Sequence, residues 1–246
     1  MMLGRILIAG LMLAAVSTPA VADQPALTIL FHDRPPYSAR DLELGVSGLL
    51  AAPVQEALVK AGLRAAWREM PPARQTEEIK RNYGATCGLG WFKRPEREAF
   101  ASFTRPIYHD DPTIVVARKD DPRFADGMSL QESFRDASRL LIVKTGYSYG
   151  AAIDAWIKLL RPAAQTSSGS NERLLGMIAQ KRADYIIMAP EEADDLLGSV
   201  TKLAAALRAV RLSDAPEGEL RYLMCSKATP AALIDRINDA LPPLAP

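Results

Sequence analysis

A dense group of aromatic and basic residues follows a short apolar run in the middle of the sequence. The run, Cys87–Leu89, is too short for a helix and is surrounded by glycines, which favours a buried strand whose end lets backbone approach another group closely. Ligands of open α/β sheets bind beyond the carboxyl ends of the strands, and arginine has a planar fork of donors that suits a carboxylate. We therefore predict a carboxylate-binding site here, with a solvated basic loop as the alternative. Its candidate side chains are Trp91, Phe92, Lys93, Arg94 and Arg97.

A second motif, at residues 146–150, has the G-x-S-x-G pattern of a hydrolase nucleophile turn. A hydrolase of that kind carries its acid and its histidine after the serine, whereas the two histidines, His32 and His109, precede Ser148. The sequence therefore argues against a hydrolase. What remains is a turn that offers hydroxyl and backbone N–H groups at the start of a predicted helix, which favours an anion site. The candidate residues of this turn are Thr145, Gly146, Tyr147 and Ser148.

The histidines do not predict a metal site. His32 precedes Asp33, and His109 precedes Asp110 and Asp111, but neither group has the i, i+4 spacing of zinc enzymes or a further histidine. We interpret them as solvated loop residues. No motif indicates a cofactor, and we predict none.

Alternating strand and helix patterns place these residues at strand ends. The first half reads β-α-β-α-β, which is typical of a mostly parallel sheet. The polar, turn-rich segment 119–127 then separates a fourth strand from a second series of the same kind. The predicted strands are 27–31, 65–70, 86–90, 112–119, 140–144, 184–188 and 220–226. The predicted helices begin near Pro53, Ala73, Ser129, Ala151, Asn171, Pro190 and Pro230, and 204–210 is ambiguous between helix and strand. Three of these helices have a predicted N-cap, at Ser129, Ser170 and Thr229.

Residues 1–22 have the features of a secretory signal peptide. Arg5 precedes an apolar run, and Ala20 and Ala22 form an A-x-A pattern before Asp23. The apolar run is shorter than the roughly 20 residues that span a bilayer, so we expect no membrane insertion. Removing Arg5 with the signal leaves 29 Lys and Arg, from 30, against 29 Asp and Glu. This balance gives no reason to expect nucleic acid or an anionic membrane as a partner.

The chain has two cysteines, Cys87 and Cys225. An even number of cysteines in an oxidising compartment makes a disulfide plausible. Spacing alone does not decide between a disulfide and two buried thiols.

The order of elements and four short motifs resemble the periplasmic solute-binding proteins of the amino-acid-binding type, bacterial extracellular solute-binding family three. The run RPEREAFASFTRPIY at 94–108 is similar to the family's pattern T-x-E-R followed by F-S-x-P-Y, although Arg94 and Thr104 replace its threonine and serine. The resemblance covers nearly all of the chain after residue 22. The other motifs are PPYS at 35–38, KTGYS at 144–148 and RADYIIM at 182–188.

This resemblance implies a role for several candidate residues. Arg97 matches the arginine that holds the ligand's carboxylate, and Tyr37 matches the aromatic that stacks on the ligand. The turn at 145–148 matches the turn that supplies further polar contacts.

One position departs from the family pattern. The family's amino-acid binders have an acid that holds the ligand's ammonium at the position matching Ala189. We expect Glu191, two residues later, to take its place. Otherwise the ligand need not be an α-amino acid, and Lys93 and Arg94 would suit a more anionic one.

The resemblance implies an α/β fold of two lobes, each a mostly parallel sheet flanked by helices, joined by a two-strand hinge. Lobe one is predicted to comprise 23–117 plus 221–246, and lobe two 118–220. In that fold the strand at 220–226 returns beside the strand that carries Cys87. We therefore predict a disulfide between Cys87 and Cys225.

The function implied is capture of a small amino acid or organic acid in the periplasm by hinge closure. We expect a monomer that delivers this solute to an ABC-type permease. One alternative is an enzyme on the same scaffold, similar to the periplasmic cyclohexadienyl dehydratases, with Glu191 or Asp33 as general acid. Another is a sensor or accessory protein that binds solute without serving a transporter.

Overall fold

The computed structural model describes residues 27–244, so the signal peptide predicted for residues 1–22 lies outside the described residues. Within that part of the chain, strands and helices alternate through most of the sequence. The strands are β1 (Leu27–Phe31), β2 (Ala39–Asp41), β3 (Gly45–Ser47), β4 (Ala65–Glu69), β5 (Thr86–Phe92), β6 (Ala101–Phe103), β7 (Tyr108–His109), β8 (Ile114–Arg118), β9 (Leu141–Lys144), β10 (Ala164–Ser167), β11 (Tyr185–Met188), β12 (Leu207–Val210) and β13 (Leu220–Ser226). The helices are α1 (Ala51–Lys60), α2 (Pro72–Arg81), α3 (Pro95–Glu98), α4 (Leu130–Arg135), α5 (Ala151–Leu160), α6 (Asn171–Ala179), α7 (Pro190–Ser199), α8 (Thr201–Ala206) and α9 (Ala231–Ala240).

The first sheet has the strand order β4-β1-β5-β13-β6, with β7 also paired to β13. Strand β1 runs parallel to β4 and β5, whereas β13 runs antiparallel to its partners. Helices α1 and α9 cover one face, where Val54 and Leu58 belong to the same buried cluster as Ile234 and Ile237. These residues recur at helical spacing, so each helix presents one apolar stripe to the sheet.

The second sheet has the order β10-β9-β11-β8-β12 and is covered on both faces. Val116 of β8 belongs to the core on one face, whereas Val115 and Ala117 belong to the core on the other. This alternation follows from the two-residue period of a strand. Because both faces are covered, all five residues of β8 are buried. Within the described residues, no helix is long and apolar enough to cross a membrane.

The chain passes between the two sheets at residues 110–113 and 211–219. Strand β8 pairs with β11 and β12, so the predicted end of lobe one at residue 117 is too late. The reason is that β8 lies between two partners of the second sheet. We propose lobes of 27–113 plus 220–244 and of 114–219 for the described residues.

Cys87 of β5 and Cys225 of β13 form a disulfide, as predicted. The two cysteines are directly opposite each other in the antiparallel register and are fully buried. The disulfide therefore links two central strands of the first sheet.

Several local predictions need correction. Strand β5 continues through Phe92, so Trp91 and Phe92 belong to the strand and do not follow it. The segment 204–210 contains both the end of α8 and strand β12. Ser129 and Ser170 cap their helices through side-chain oxygens, whereas α9 begins after Pro230 without a side-chain cap from Thr229.

Candidate ligand-binding cleft

Two neighbouring cavities lie where the strand ends of the two sheets face each other. The first cavity contains about 530 Å³ of empty space, counting the part open to solvent. It is lined from the first sheet and the crossing segments by Arg34, Phe92, Asp110, Asp111, Thr113 and Arg221, and from the second by Lys144, Tyr147, Ser148, Tyr149, Asn171, Glu192 and residues 186–189. The second cavity has about 500 Å³ by the same measure and is lined by His32, Arg34, Pro72, Leu89, Gly90, Trp91, Phe92, Arg97, Gly146, Tyr147, Ser148 and Arg221.

A buried ion pair between Arg34 and Glu192 crosses the cleft. Arg34 follows β1, and Glu192 lies in the first turn of α7, where the helix dipole favours an acid. The guanidinium donates through Nε to Oε1 at 2.8 Å and through Nη2 to Oε2 at 2.7 Å. The side chains are only 12% and 2% exposed. Asn171 Nδ2 donates to the same Oε1 at 2.8 Å, so Glu192 has three hydrogen bonds.

Each charge of this pair stabilises the other, although both side chains are buried. Burial disfavours charged Glu192, but Arg34 and Lys144 outweigh this effect and lower its pKa below the usual range. Burial likewise disfavours charged Arg34, but Glu192 raises its pKa further above the ordinary value. Both groups are therefore charged at neutral pH, and loss of either would leave the other buried without its partner.

Glu191 binds two tyrosines of the first lobe. Tyr37 Oη donates to Oε2 at 3.0 Å and Tyr108 Oη donates to Oε1 at 2.6 Å. The tyrosine rings meet edge to face, with centroids 5.8 Å apart. Tyr37 is fully buried, and the guanidinium groups of Arg34 and Arg221 lie 4.6 and 5.0 Å from its ring centroid. Neither Tyr37 nor Glu191 lines either cavity.

Arg221 of β13 is a cleft residue that the sequence analysis missed. Its Nε donates to Asp110 Oδ1 at 2.5 Å, and its Nη1 donates to the carbonyl of Gly90 at 3.1 Å. Its guanidinium lies 4.5 Å from the ring centroid of Phe92. An arginine inside the otherwise apolar strand LRYLMCS is a signal that could have identified it, because a buried arginine requires a partner.

Arg97 lines the second cavity, and its environment differs from those of Arg34 and Arg221, which each have an acidic partner. Its Nη1 donates to the carbonyl of Phe92 at 2.8 Å, and its guanidinium lies 4.8 Å from the centroid of the Trp91 ring. No carboxylate of the described residues lies within ion-pair distance of it. Burial, followed by the nearby charge of Arg94, lowers the pKa of Arg97. Its remaining N–H groups can therefore serve an anion in the cavity.

The two other basic residues of the predicted cluster have acidic partners. Lys93 Nζ lies 3.1 Å from Glu98, and both side chains are about half exposed. Arg94 is 19% exposed and pairs with Glu219 at 2.5 Å. The other oxygen of Glu219 accepts from the backbone N–H of Ala151 at 2.5 Å. Arg94 therefore contributes to a contact between the lobes and is not a solvated loop residue.

The turn at 145–148 is only partly directed at the cavities. Thr145 is exposed, lines neither cavity and donates its backbone N–H to Ser167. Tyr147 lines both cavities, with Lys144 Nζ 4.3 Å from its ring centroid. Ser148 also lines both, but its hydroxyl donates to Asp154 at 2.5 Å.

His32 adds an unexpected group to the second cavity. Its Nε2 is buried and has no hydrogen-bond partner among the described residues. Burial, then the charges of Arg34 and Lys144, lower the pKa of His32 to about 4. The imidazole is therefore neutral at neutral pH. Asp33, the next residue and a proposed general acid, is exposed and lines neither cavity.

Three solved structures that resemble this chain are two-lobed binding proteins or domains. An ancestral arginine-binding protein bound to arginine is 14% identical, with a TM-score of 0.68 over 89% of this chain and 91% of that chain. The BvgS VFT2 domain of Bordetella pertussis is 19% identical, with a TM-score of 0.66 over 89% and 88%. A protein from a study of glutathione import through GshT and the cystine ABC importer of Streptococcus mutans is 13% identical, with a TM-score of 0.69 over 87% and 86%.

Comparisons by sequence add no relative. No model of a known protein family matches the chain, and no curated protein matches it. At these identities the structural likeness concerns the fold. The chain has the α/β fold of type II periplasmic binding proteins, with two helix-flanked sheets and a cleft between them.

Proposed function

We propose that this protein captures a small carboxylate-bearing solute in the periplasm and delivers it to an ABC-type permease. The observation that carries the proposal is Arg97, a half-buried cation that lines a cavity at the strand ends without a carboxylate partner among the described residues. A guanidinium in that position can bind a carboxylate through two parallel hydrogen bonds. A competing explanation would be that Arg97 pairs with Glu96, Glu98 or another acid of its own lobe, but no such ion pair occurs among the described residues.

Closure of the cleft supports the same function. Ion pairs and hydrogen bonds from Arg34, Tyr37, Tyr108 and Arg94 join the first lobe to residues of α7 and the crossing segment. Hinge closure around a ligand excludes water and strengthens the electrostatic contacts inside. Structural relatives that bind amino acids or belong to ABC importers support this proposal.

The test is calorimetry with a panel of amino acids and organic acids on wild type and variants of Arg97. We expect Arg97→Ala to weaken binding by about 2–5 kcal/mol, because it removes one partner of a desolvated charge pair. Arg97→Lys should also weaken binding, since an ammonium keeps the charge but loses the fork.

Lys93→Ala is the matched control, because Lys93 is solvated and pairs with Glu98. We expect its affinity to equal that of wild type. Unchanged binding by a folded Arg97→Ala protein would contradict the carboxylate contact. Absence of any saturable ligand in the panel would contradict solute capture.

A further inference from the structure

The second cavity offers hydrogen-bond donors but no carboxylate. Its described lining includes the cations Arg34, Arg97 and Arg221 and the imidazole of His32, and no Asp or Glu. Among these, Arg97 has a single hydrogen bond, to a backbone carbonyl, and His32 Nε2 has none to the described residues. A ligand in this cavity therefore meets N–H groups of Arg97 that have no acceptor among the described residues, and an imidazole nitrogen of His32 that has no partner there.

The buried acids next to the cavities are occupied by groups of the chain itself. Glu192 accepts three hydrogen bonds, two of them from Arg34. Glu191 accepts one from each of two tyrosines, and Asp110 accepts one from Arg221. Asp111, which lines the first cavity, is exposed and therefore solvated. Because the second cavity itself has no Asp or Glu, a cationic group on a ligand bound there would have to reach Glu192 in competition with Arg34.

Such a displacement is costly. Arg34 is held by two charge-assisted bonds to Glu192 and lies 4.6 and 5.1 Å from the ring centroids of Tyr37 and Tyr147. Its removal from Glu192 would leave a buried guanidinium without its acid. At Ala189, which follows β11 and lines the first cavity, the side chain supplies no acceptor in its place.

We infer that the ligand is an organic carboxylate that lacks an ammonium group, because Arg34 already serves as the cation for Glu192. This inference rests on the proposed function. The carboxylate binds Arg97 in the second cavity, and His32 donates to it from Nε2 in the tautomer that carries the proton on that nitrogen. The neighbouring rings of Trp91, Phe92 and Tyr147 contact the apolar part of the ligand.

Matched ligand pairs test the inference directly. Calorimetry on the wild-type protein compares phenyllactate with phenylalanine and 2-hydroxyglutarate with glutamate, which differ only in hydroxyl against ammonium. We expect the better hydroxy acid to bind about tenfold or more tightly than its amino acid, since a buried unpaired ammonium is strongly unfavourable. Equal or tighter binding of the amino acid would overturn the inference and leave the proposed function standing. If no member of either pair binds, the inference and the proposed function are both overturned for these ligand classes.

Variants of Arg34 separate its role from general effects on folding. Arg34→Met removes the cation and leaves Glu192 free for a ligand ammonium, so the preference for the hydroxy acid should shrink or reverse. Arg34→Met combined with Glu192→Met removes both charges and should keep the preference. An unchanged preference in a folded Arg34→Met protein would overturn the role of Arg34. If that variant does not fold, the wild-type pairs still decide the ligand class.

Discussion

Individual charges in the cleft differ in whether the chain supplies their partners. Arg34, Arg94 and Arg221 each have an acid within ion-pair distance, whereas the part of Arg97's surroundings that lies within residues 27–244 offers it a carbonyl and an aromatic ring but no acid. Position along the sequence does not reveal this difference, since Arg94 and Arg97 are three residues apart. The partner, and not the residue type, distinguishes a structural arginine from one that is available to a ligand.

His32 predicts a pH dependence of folding stability. Its pKa is about 4 in the folded protein against an ordinary value of 6.5, so the unfolded chain binds this proton first as pH falls. The contribution of His32 to the free energy of unfolding is then fully present above about pH 6.5. It is lost as the pH falls toward 4, by about 1.4 kcal/mol per pH unit. The groups whose charges act on this imidazole are Arg34, Lys144, Arg221 and Glu192.

Urea unfolding between pH 5 and 6.5 measures this effect. The pKa of Glu192 lies below its ordinary 4.5, so its own contribution is lost only at lower pH. We expect His32→Gln to flatten the slope, and His109→Gln, at an exposed histidine, to leave it unchanged. Parallel curves for wild type and His32→Gln would show that His32 is not the responsible group.

At the scale of elements, β5 and β13 form the centre of the first lobe. The disulfide joins them across a sequence separation of 138 residues. A crosslink over so long a loop restricts the unfolded chain, and loss of a native disulfide typically costs about 2–5 kcal/mol. We expect the double variant Cys87→Ala with Cys225→Ala to lose stability by that amount.

Denaturation with and without a reductant checks this prediction. Reductant should lower the urea midpoint of wild type and leave that of the double variant unchanged. A wild-type midpoint that is the same under both conditions, with reduction verified by mass, would contradict a stabilising disulfide.

At the scale of the whole molecule, hydrogen bonds and ion pairs join the two proposed lobes, and among those ion pairs of the described residues Arg34–Glu192 is the most buried. Glu192→Gln keeps the shape of the side chain but removes its charge. We expect the closed form to lose about 3–5 kcal/mol, because Arg34 would remain buried without its acid. A shift of this size is close to the 5.5 kcal/mol that inverts a 99:1 equilibrium.

Small-angle X-ray scattering without added ligand measures the opening as a larger radius of gyration. Glu172→Gln is the matched control, because Glu172 is an exposed acid in the first turn of the adjacent helix α6. An identical scattering curve and unfolding midpoint for Glu192→Gln and wild type would contradict a role for the pair in closure.

Much of the secondary structure follows from local patterns. The limits of β1 and the caps at Ser129 and Ser170 could be predicted, because an apolar run and a capping side chain are both signals that span only a few neighbouring residues. The sequence patterns missed five strands, because these are short and carry no buried apolar run: β2, β3, β6, β7 and β10. The position of the site at strand ends also follows from the order of elements.

The sequence by itself determined the α/β order, the strand ends that carry Arg97 and the turn near Tyr147, and the possibility of a disulfide. Only the tertiary structure decided which charges meet. Arg34 and Glu192 are 158 residues apart, and Arg221 and Asp110 are 111 apart. No local pattern encodes such pairs, because they form only when the folded chain brings distant strand ends and crossing segments together. Under the proposed function, the charge available to a ligand is Arg97, for which the described residues provide no acidic partner.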